Sequence, residues 1–310
     1  MTKPTITVIG SSNTDMVIKA DHLPGPGETI IGGTFFMNPG GKGANQAVAA
    51  ARLGGKVSFI CKTGDDIFGS QSLQLFKEEG INTSFLISDP DLPSGVALII
   101  VDKNAENCIA VASGANAALK PSELEHAREL IFHSSIILLQ LEIPLDTVSC
   151  AAAMAFEKNI PVVLNPAPAC TLPDELLSHI SILTPNKTEA GMLSGIRVHD
   201  MESAKEAAEK IKDRGVKTVI ITLGNNGALV LDKNVFTHIP ASPVTAVDTT
   251  AAGDTFNGAL VVALSEGKDI LQATAFASKA SAISVTRIGA QASIPYKHEV
   301  DAFTINDKKT

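Results

Sequence analysis

The fold of this chain is decided by two short apolar runs, Ile136-Ile137-Leu138-Leu139-Gln140 and Ile160-Pro161-Val162-Val163-Leu164. Runs of this kind are typical of strands that are buried on both faces of a parallel sheet. The segment between them, 144–158, is rich in alanine and has the length of a helix. The order strand, helix, strand therefore predicts parallel strands joined by a crossover helix.

The same alternation extends outward from this unit. It predicts further strands at 5–10, 57–61, 180–183 and 218–223, and further helices at 47–53, 65–80, 121–132, 201–214 and 269–285, with one more starting at 254. No linker or internal repeat interrupts it. We therefore predict a single α/β domain over residues 1–310, with a mostly parallel central sheet covered by helices on both faces.

Two stretches do not follow the alternation. Residues 16–36 contain Pro24-Gly25-Pro26-Gly27 in place of a helix, and 28–36 is rich in β-branched and aromatic residues. Residues 96–101 and 107–112 also resemble extended segments. We expect these excursions, near 16–36 and 96–112, to leave the main sheet and form a small β-sheet lid.

Composition limits the class of protein. A hydrophobic content of 45% is enough for a sizeable core, and the formal charge of −8 with no basic stripe argues against a nucleic-acid partner. The four cysteines form no C-x-x-C pair, which favours a reducing compartment. No signal peptide or membrane-length apolar run is evident, so we expect a cytoplasmic protein with no membrane partner.

The stretch from Val247 to Gly258, Val-Asp-Thr-Thr-Ala-Ala-Gly-Asp-Thr-Phe-Asn-Gly, indicates chemistry. An apolar helical period begins at Phe256, so the small residues lie at a helix N-terminus, where N–H groups lack partners and the dipole favours anions. Ala251, Ala252 and Gly253 let an anion approach closely, and Asp254 is placed to act as a base. Alternatively, Asp254 only stabilises the helix dipole.

Polar residues also follow several predicted strands, at the edge where parallel sheets bind ligands. Asn13 and Asp15 follow the first strand, and either bind hydroxyl groups or cap a turn. The glycine-rich entry Gly40-Gly41-Lys42-Gly43 is not a Walker A loop, because Lys42 is followed by glycine. The dinucleotide fingerprint is absent after the first strand, which argues against a dinucleotide-dependent oxidoreductase.

In order along the chain, five motifs resemble those of the PfkB-type carbohydrate kinases, from Val8 to about Phe303. They are Asn13-x-Asp15, Gly40-Gly41-Lys42-Gly43-Ala44-Asn45-Gln46, Asn165-Pro166-Ala167-Pro168, Thr184-Pro185-Asn186-x-x-Glu189 and Asp248-Thr249-Thr250-Ala251-Ala252-Gly253-Asp254-Thr255-Phe256. The resemblance implies ATP-dependent phosphorylation of the 5-hydroxyl of D-ribose.

The resemblance also implies a role for individual residues. Asp254 matches the general base, and the N–H groups of Ala251, Ala252 and Gly253 match the anion hole. Sugar-contacting positions fall on Asn13, Asp15, Gly41, Lys42, Asn45 and Glu142, and the base Asp254 also belongs to the substrate-binding set. ATP-contacting positions fall on Asn186, Thr222, Gly224, Asn225, Gly227 and Gly253, with Ser278 near the adenine.

Two metal ions and a partner follow from the same resemblance. Glu189 matches the acid that organises Mg²⁺ through water. A potassium site, formed mainly by backbone oxygens, maps onto Asp248, Thr250, Ser284, Arg287, Gly289 and Ser293. Lids of this family pair between subunits, so a homodimer is expected.

Two alternatives stay open at this point. The chain can be a neighbouring kinase that acts on deoxyribose, another pentose or a nucleoside. It can also be a sugar sensor that kept the fold without catalysis, although the intact Asp254, Asn186 and Glu189 argue against a sensor.

Overall fold

The computed structural model describes residues 3–104 and 106–303. Outside the described residues lie Met1 and Thr2, Ala105 and residues 304–310. Met1 and Thr2 belong to the segment expected to carry no signal peptide, and Ala105 belongs to the second predicted lid excursion. The described strands, in chain order, are β1 Thr5–Ile9, β2 Asn13–Lys19, β3 Thr34–Gly40, β4 Lys56–Gly64, β5 Leu86–Asp89, β6 Gly95–Val101, β7 Asn107–Ala112, β8 Ile136–Leu139, β9 Val162–Leu164, β10 Ile182–Leu183, β11 Thr218–Thr222, β12 Ala228–Asp232 and β13 Val235–Ile239.

The helices surround these strands. The described α-helices are α1 Lys42–Arg52, α2 Ile67–Glu78, α3 Arg128–Phe132, α4 Leu145–Glu157, α5 Asp174–His179, α6 Lys187–Ser194, α7 Met201–Asp213, α8 Ala252–Ser265, α9 Ile270–Ser284 and α10 Lys297–Ala302. Short 3₁₀ helices span Gly114–Ala118, Pro121–Ala127, Gly224–Asn226 and Gln291–Ser293. None of the helices described in the structure is long and apolar enough to cross a membrane.

The main sheet has nine strands in the order β13-β12-β11-β10-β9-β8-β1-β4-β5. All neighbours are parallel except β11–β12 and β12–β13. Strand β8 shows why the sheet is covered on both sides: Ile137 and Leu139 pack into one core cluster, and Ile136 and Leu138 into the other. Alternate side chains point to opposite faces, so an unbroken apolar run needs a helical layer on each face. The predicted fold class is confirmed.

The second sheet consists of β3-β2-β6-β7 in that order. Strand β2 pairs antiparallel with β3, with Asp15 opposite Asn38, and parallel with β6, with Asp15 opposite Ala97. The sheet begins at Asn13, three residues before the predicted excursion. The extended segment predicted at 28–36 is strand only from Thr34 onward, because Gly32 and Gly33 have positive φ angles of 113° and 94° and turn the chain.

The sequence did not reveal several elements. Strand β5, helices α5 and α6, and the hairpin β12–β13 were not predicted, and the first half of the predicted helix 121–132 is 3₁₀. The hairpin turns at Lys233 and Asn234, whose φ angles are 47° and 63°. Lys-Asn is a weaker hairpin signal than Asn-Gly, because lysine rarely adopts positive φ.

Candidate active site

Helix α8 begins with a strained turn. Ala251 precedes the helix with a φ of 58°, a left-handed conformation that costs an alanine roughly 1–2 kcal/mol. The Ala252 N–H donates to Thr249 O at 3.2 Å, whereas the Gly253 N–H has no protein acceptor within the described ranges. A Cβ added to Gly253 would meet no atom within 4 Å. The helix therefore presents an open N–H group to a cavity, as an anion site requires.

Asp254 lies in the first turn of α8 with 7% of its surface exposed. Its Oδ1 accepts from Gln46 Nε2 and its Oδ2 from Asn45 Nδ2, both at 2.9 Å. Burial raises the pKa of Asp254, while the Lys42 charge and the two amide donors act in the opposite direction. Asp254 is thus a buried carboxyl with a perturbed pKa, held by two side chains, as expected of a positioned base.

Close packing of α1 against α8 makes these contacts possible. A Cβ at Gly258 would lie 2.5 Å from Ala49 Cβ and 2.8 Å from Gln46 O. The two helices can therefore approach only because residue 258 is glycine. Gly41, at the start of α1, has a φ of 87° and lies against the backbone of Ser12.

Glu142 follows β8 and joins the glycine-rich entry to the end of β1. Its Oε2 accepts from Ser11 Oγ at 2.6 Å and from the Lys42 N–H at 2.9 Å. Burial of Lys42 works against its charged form, but the surrounding carboxylates outweigh it and raise the lysine pKa (Asp254, Glu142, Glu189 and Asp15). The Lys42 ammonium group therefore stays protonated and lies near four acidic side chains.

Asp15 and Asn13 reach this region from the second sheet. Burial, together with the nearby charges of Glu142 and Asp254, raises the pKa of Asp15 to about 6. Asn13 is buried, and its Oδ1 accepts from Asn116 Nδ2 at 2.8 Å. The Asn116 amide is itself oriented by the backbone of Ser12, which it contacts through both of its polar atoms. Asn13 therefore keeps its Nδ2 donor for a ligand.

At the start of α8 the site opens into a cavity of about 220 Å³. Its lining contains the predicted residues Lys42, Asn186, Glu189, Thr222, Ala251, Ala252, Gly253 and Asp254, and also Asn165, Ala167, Thr184, Thr249 and Asn257. Asn186 caps α6 by accepting from the Glu189 N–H at 2.9 Å, and both Glu189 oxygens accept from Asn186 at 2.8 Å. Burial raises the pKa of Glu189, opposed by the Asn186 hydrogen bond and by Lys42.

The residues expected to contact the nucleoside lie beyond this cavity. Gly224 and Asn225 belong to the 3₁₀ turn after β11, and Gly227 follows it with a φ of 84°. Asn225 borders a second cavity, of about 580 Å³. Ser278 is half-buried on α9, and the structure gives no hydrogen bond between Ser278 and the turn among the described residues.

The residues expected to bind potassium form a separate loop pair. Asp248 Oδ1 accepts from the Thr250 N–H at 2.9 Å and from Thr250 Oγ1 at 2.6 Å, and Asp248 Oδ2 accepts from the Gly289 N–H at 2.9 Å. Burial works to raise the pKa of Asp248, but these hydrogen bonds lower it overall. Arg287 directs its side chain to Glu299 at 2.5 Å, while Ser284 and Ser293 are buried.

Sequence reasoning assigned no role to several residues of the site, although Gln46, Asn165 and Thr184 lie within the motifs named above. They are Ser11, Gln46, Asn116, Gln140, Asn165, Thr184 and Asn257. Each contacts a predicted site residue or lines the cavity, except Gln140, which contacts Gln46. All seven are buried side chains with an amide or a hydroxyl group. Gln46, between the apolar residues of α1, was the one local signal, because a buried helical face rarely carries a glutamine.

Comparison with known proteins gives the class. The family model of the pfkB family carbohydrate kinases matches residues 3–297. The chain belongs to this family of carbohydrate kinases. It is 48% identical to the ribokinase of Haemophilus influenzae over 301 residues, 97% of this chain and 98% of that protein. It is also 38% identical to the deoxyribokinase of Salmonella typhi, over 94% of this chain and 95% of that protein.

Solved structures agree with the fold. The structure of Arabidopsis thaliana ribokinase complexed with ribose and ATP superposes with a TM-score of 0.92 at 32% identity. The match covers 98% of this chain and 100% of that one. The arrangement of the two sheets is therefore that of a ribokinase-like protein.

Proposed function

We propose that this chain transfers the γ-phosphoryl group of ATP to the 5-hydroxyl of D-ribose and releases ribose 5-phosphate and ADP. The observation that carries the proposal is Asp254, buried in the first turn of α8. It shares the cavity with Lys42 and with the Gly253 N–H, which has no acceptor among residues 3–104 and 106–303. A base, a cation and an anion-binding helix end at one cavity are the parts that phosphoryl transfer needs. The likeness to ribokinases supports ribose as the sugar.

The proposed reaction follows from these positions. The sugar 5-hydroxyl oxygen attacks the γ-phosphorus, and its proton passes to an oxygen of Asp254. Charge that develops on the phosphoryl oxygens is stabilised by the N–H groups at the start of α8, with Gly253 as the open donor. We assign Ala251 and Ala252 to the shape of this turn and to the anion hole. The bond between the γ-phosphorus and the bridging oxygen of ADP breaks as the bond to the sugar oxygen forms, and ADP leaves.

Sugar recognition and nucleotide binding are assigned to opposite ends of the site. Asn13, Asp15, Gly41, Lys42, Asn45 and Glu142 would hold the sugar hydroxyls. Asn186, Thr222, Gly224, Asn225, Gly227 and Ser278 would hold ATP. The first set supplies mostly charged and amide side chains, and the second supplies mostly backbone and small polar groups, which suits a sugar and an extended nucleotide respectively.

The residues also fit two metal ions. Across residues 3–104 and 106–303, the structure brings together no group of three or more His, Cys, Asp and Glu side chains that could hold a metal. This suits Mg²⁺, which keeps waters and binds through one or two carboxylates plus phosphates. Both Glu189 oxygens are engaged by Asn186, so Glu189 would act through water. When bound, Mg²⁺ would neutralise phosphate charge.

Potassium fits the loop pair for a different reason. The carboxylate of Asp248 stays ionised and joins 248–250 to 289, and the Arg287 guanidinium is occupied by Glu299. Asp248, Thr250, Ser284, Arg287, Gly289 and Ser293 would hold the ion, mainly through backbone oxygens. A bound ion would offset the negative charge of Asp248 in the loop that precedes Ala251.

We further propose that the chain is a single domain in which the second sheet is the lid, and that two lids pair in a cytoplasmic homodimer. By register, Ile18, Phe35, Met37 and Leu98 share one face of this sheet, and each is more than 40% exposed. A contiguous exposed apolar face favours a protein partner, and a second copy supplies an identical face. The sheet's other face carries Asp15 towards the sugar.

A turnover screen tests the reaction. ATP-dependent phosphorylation is measured with ribose, 2-deoxyribose, fructose, adenosine and no sugar, each with and without potassium. The proposal expects the highest kcat/KM with ribose and an increase with potassium. Preference for 2-deoxyribose would favour the second candidate, which the 38% identity to a deoxyribokinase supports. No turnover on any sugar, with ribose still bound, would instead identify a sensor.

A further inference from the structure

The buried amides behind Asp254 form a chain that the proposed mechanism does not use. Gln140 Nε2 donates to Gln46 Oε1 at 2.5 Å, and Gln46 Nε2 donates to Asp254 Oδ1 at 2.9 Å. The second Gln46 N–H reaches Asn165 Oδ1 at 3.1 Å. Both glutamines have no exposed surface. Neither lines the cavity, so neither can touch a substrate there.

The orientation of each amide is fixed by the next. A carboxylate only accepts, so Gln46 must turn its Nε2 toward Asp254 and its Oε1 toward Gln140. Gln140 therefore donates its Nε2 hydrogen to Gln46 Oε1. The Oε1 of Gln140 is left without a hydrogen-bond partner in the part of the chain that the structure describes. A Cβ at Gly10 would collide with that oxygen, so the end of β1 leaves room for the amide.

An unpartnered buried amide oxygen is costly, and an apolar side chain of similar volume would avoid the cost. Resting on the function proposed above, we infer that Gln46 and Gln140 are positioning residues, which orient Asp254 and keep it ionised as the base. Asn45 is different, because it donates to the other carboxylate oxygen from a position expected to contact the sugar. The direction of the Asp254 pKa fits, since Gln46 acts against the effect of burial.

The other charged groups around Asp254 are the same in wild type and in the glutamine-to-methionine variants. They come from four elements: Lys42 on α1, Asp15 on β2, Glu189 on α6 and Glu142 after β8. Replacing a neutral glutamine by Met changes none of these charges. A changed titration then reports the lost donor alone.

The experiment measures the titration of Asp254 directly, by ¹³C NMR of the full chain with labelled aspartate carboxyls, assigned by the missing signal in Asp254→Asn. In Gln46→Met we expect the Asp254 midpoint to rise by about one pH unit, because the charged form loses a donor. Gln46→Glu should raise it further, since two carboxyls then share the site. Gln140→Met should raise it less, because the Gln46 amide loses only its orienting partner.

Kinetics provide the second measurement. The acid limb of the kcat profile should move with the midpoint, while KM for the sugar stays within about twofold, since Gln46 does not reach the sugar. Thr147→Val is the control, because it removes a buried hydrogen bond to Leu119 O that lies away from Asp254. It should lower Tm and leave the midpoint unchanged.

An unmoved midpoint in folded Gln46→Met overturns the inference, and if that variant does not fold, an unmoved midpoint in Gln140→Met does so. Failure of the proposed function is a separate result: wild type that phosphorylates no sugar, while the midpoints still rise in the order given. In that case the amides orient a carboxyl with another role.

Discussion

The two sheets bring different groups to the proposed sugar site. The main sheet positions Asp254 behind a closed set of hydrogen bonds from Asn45 and Gln46, in a core that is covered on both faces. The second sheet contributes Asn13 and Asp15 from strand β2, and its other face is exposed. This difference teaches that the groups for chemistry and those for recognition are separable. Mutations of Asp254 and of the α8 turn should change kcat, and those of Asn13 and Asp15 on the second sheet should change sugar affinity.

The largest effect should come from Asp254→Asn. The amide cannot accept the hydroxyl proton, so kcat should fall by roughly 10²–10⁴-fold, the range attributed to general acid–base catalysis. Ribose affinity by calorimetry should change little, because the asparagine keeps the shape of the side chain.

Asp146→Asn is the matched control, since Asp146 also lies in the first turn of a helix but is exposed. It should leave kcat unchanged. If Asp254→Asn keeps near-normal turnover, Asp254 is not the base, and its place in the first turn only stabilises the helix.

Gly253→Ala should have the next largest effect. The added methyl group meets no protein atom within 4 Å, and alanine is the better helix former by about 1 kcal/mol, so Tm should be equal or higher. Turnover should nevertheless fall by roughly 10–100-fold, because the methyl group points at the proposed phosphate position and displaces it from its donors.

Gly25→Ala serves as the control for a glycine in an open loop. Its Cβ would approach only Glu28, at 3.6 Å, and neither Tm nor turnover should change. A loss of Tm in Gly253→Ala would show instead that the α8 turn needs glycine for its own conformation.

The second sheet should show a pH effect on affinity. The pKa of Asp15 is raised to about 6, so the carboxylate is lost as pH falls through about 6, and the uncharged acid accepts sugar hydroxyls poorly. KM for ribose should then rise by up to about tenfold per pH unit below pH 6, with kcat less affected. Initial rates between pH 5 and 8 measure this.

Asp15→Asn should abolish this pH dependence of KM and raise KM at every pH. The sign for stability is opposite to that of most acids: the folded chain holds the Asp15 proton more tightly than the unfolded chain, so this residue makes stability fall between about pH 4 and 6 as pH rises. A pH-independent KM in wild type would remove Asp15 from recognition.

Much of the main sheet could be predicted from the sequence, because buried parallel strands have unbroken apolar sequences, and helical segments lie between them. Strand β8 is such a case. The hairpin β12–β13 was missed because its turn, Lys233-Asn234, carries a weak signal. Strand β5 was missed because its four residues, Leu-Ile-Ser-Asp, include only two apolar side chains, and none of the four is fully buried.

Within the candidate site, the sequence predicted the residues that lie in local motifs. One cavity is lined by Lys42, Asn186, Glu189, Thr222 and Asp254, which are far apart in the sequence. The supporting amides could not be predicted, because Asn116 and Gln140 act only through contacts with residues more than 90 positions away. Long-range hydrogen bonds leave no local pattern in the chain.

The outward face of the second sheet should show the smallest effect on turnover. Leu98 is 56% exposed and lies beside Met16, which pairs in turn with Met37. In a two-fold dimer, Leu98→Lys would place a lysine from each copy in an apolar contact, and should weaken association by at least roughly 100-fold. Sedimentation measures this change directly.

Leu92→Lys, at an exposed leucine outside the sheet, is the control and should remain dimeric. Because Asp254 lies on α8 and its donors Asn45 and Gln46 lie on α1, outside the second sheet, kcat should change little, and any effect should fall on KM through Asn13 and Asp15. A monomeric wild type would show that the apolar face has another partner, whereas an equal loss of kcat would show that the two sheets do not act separately.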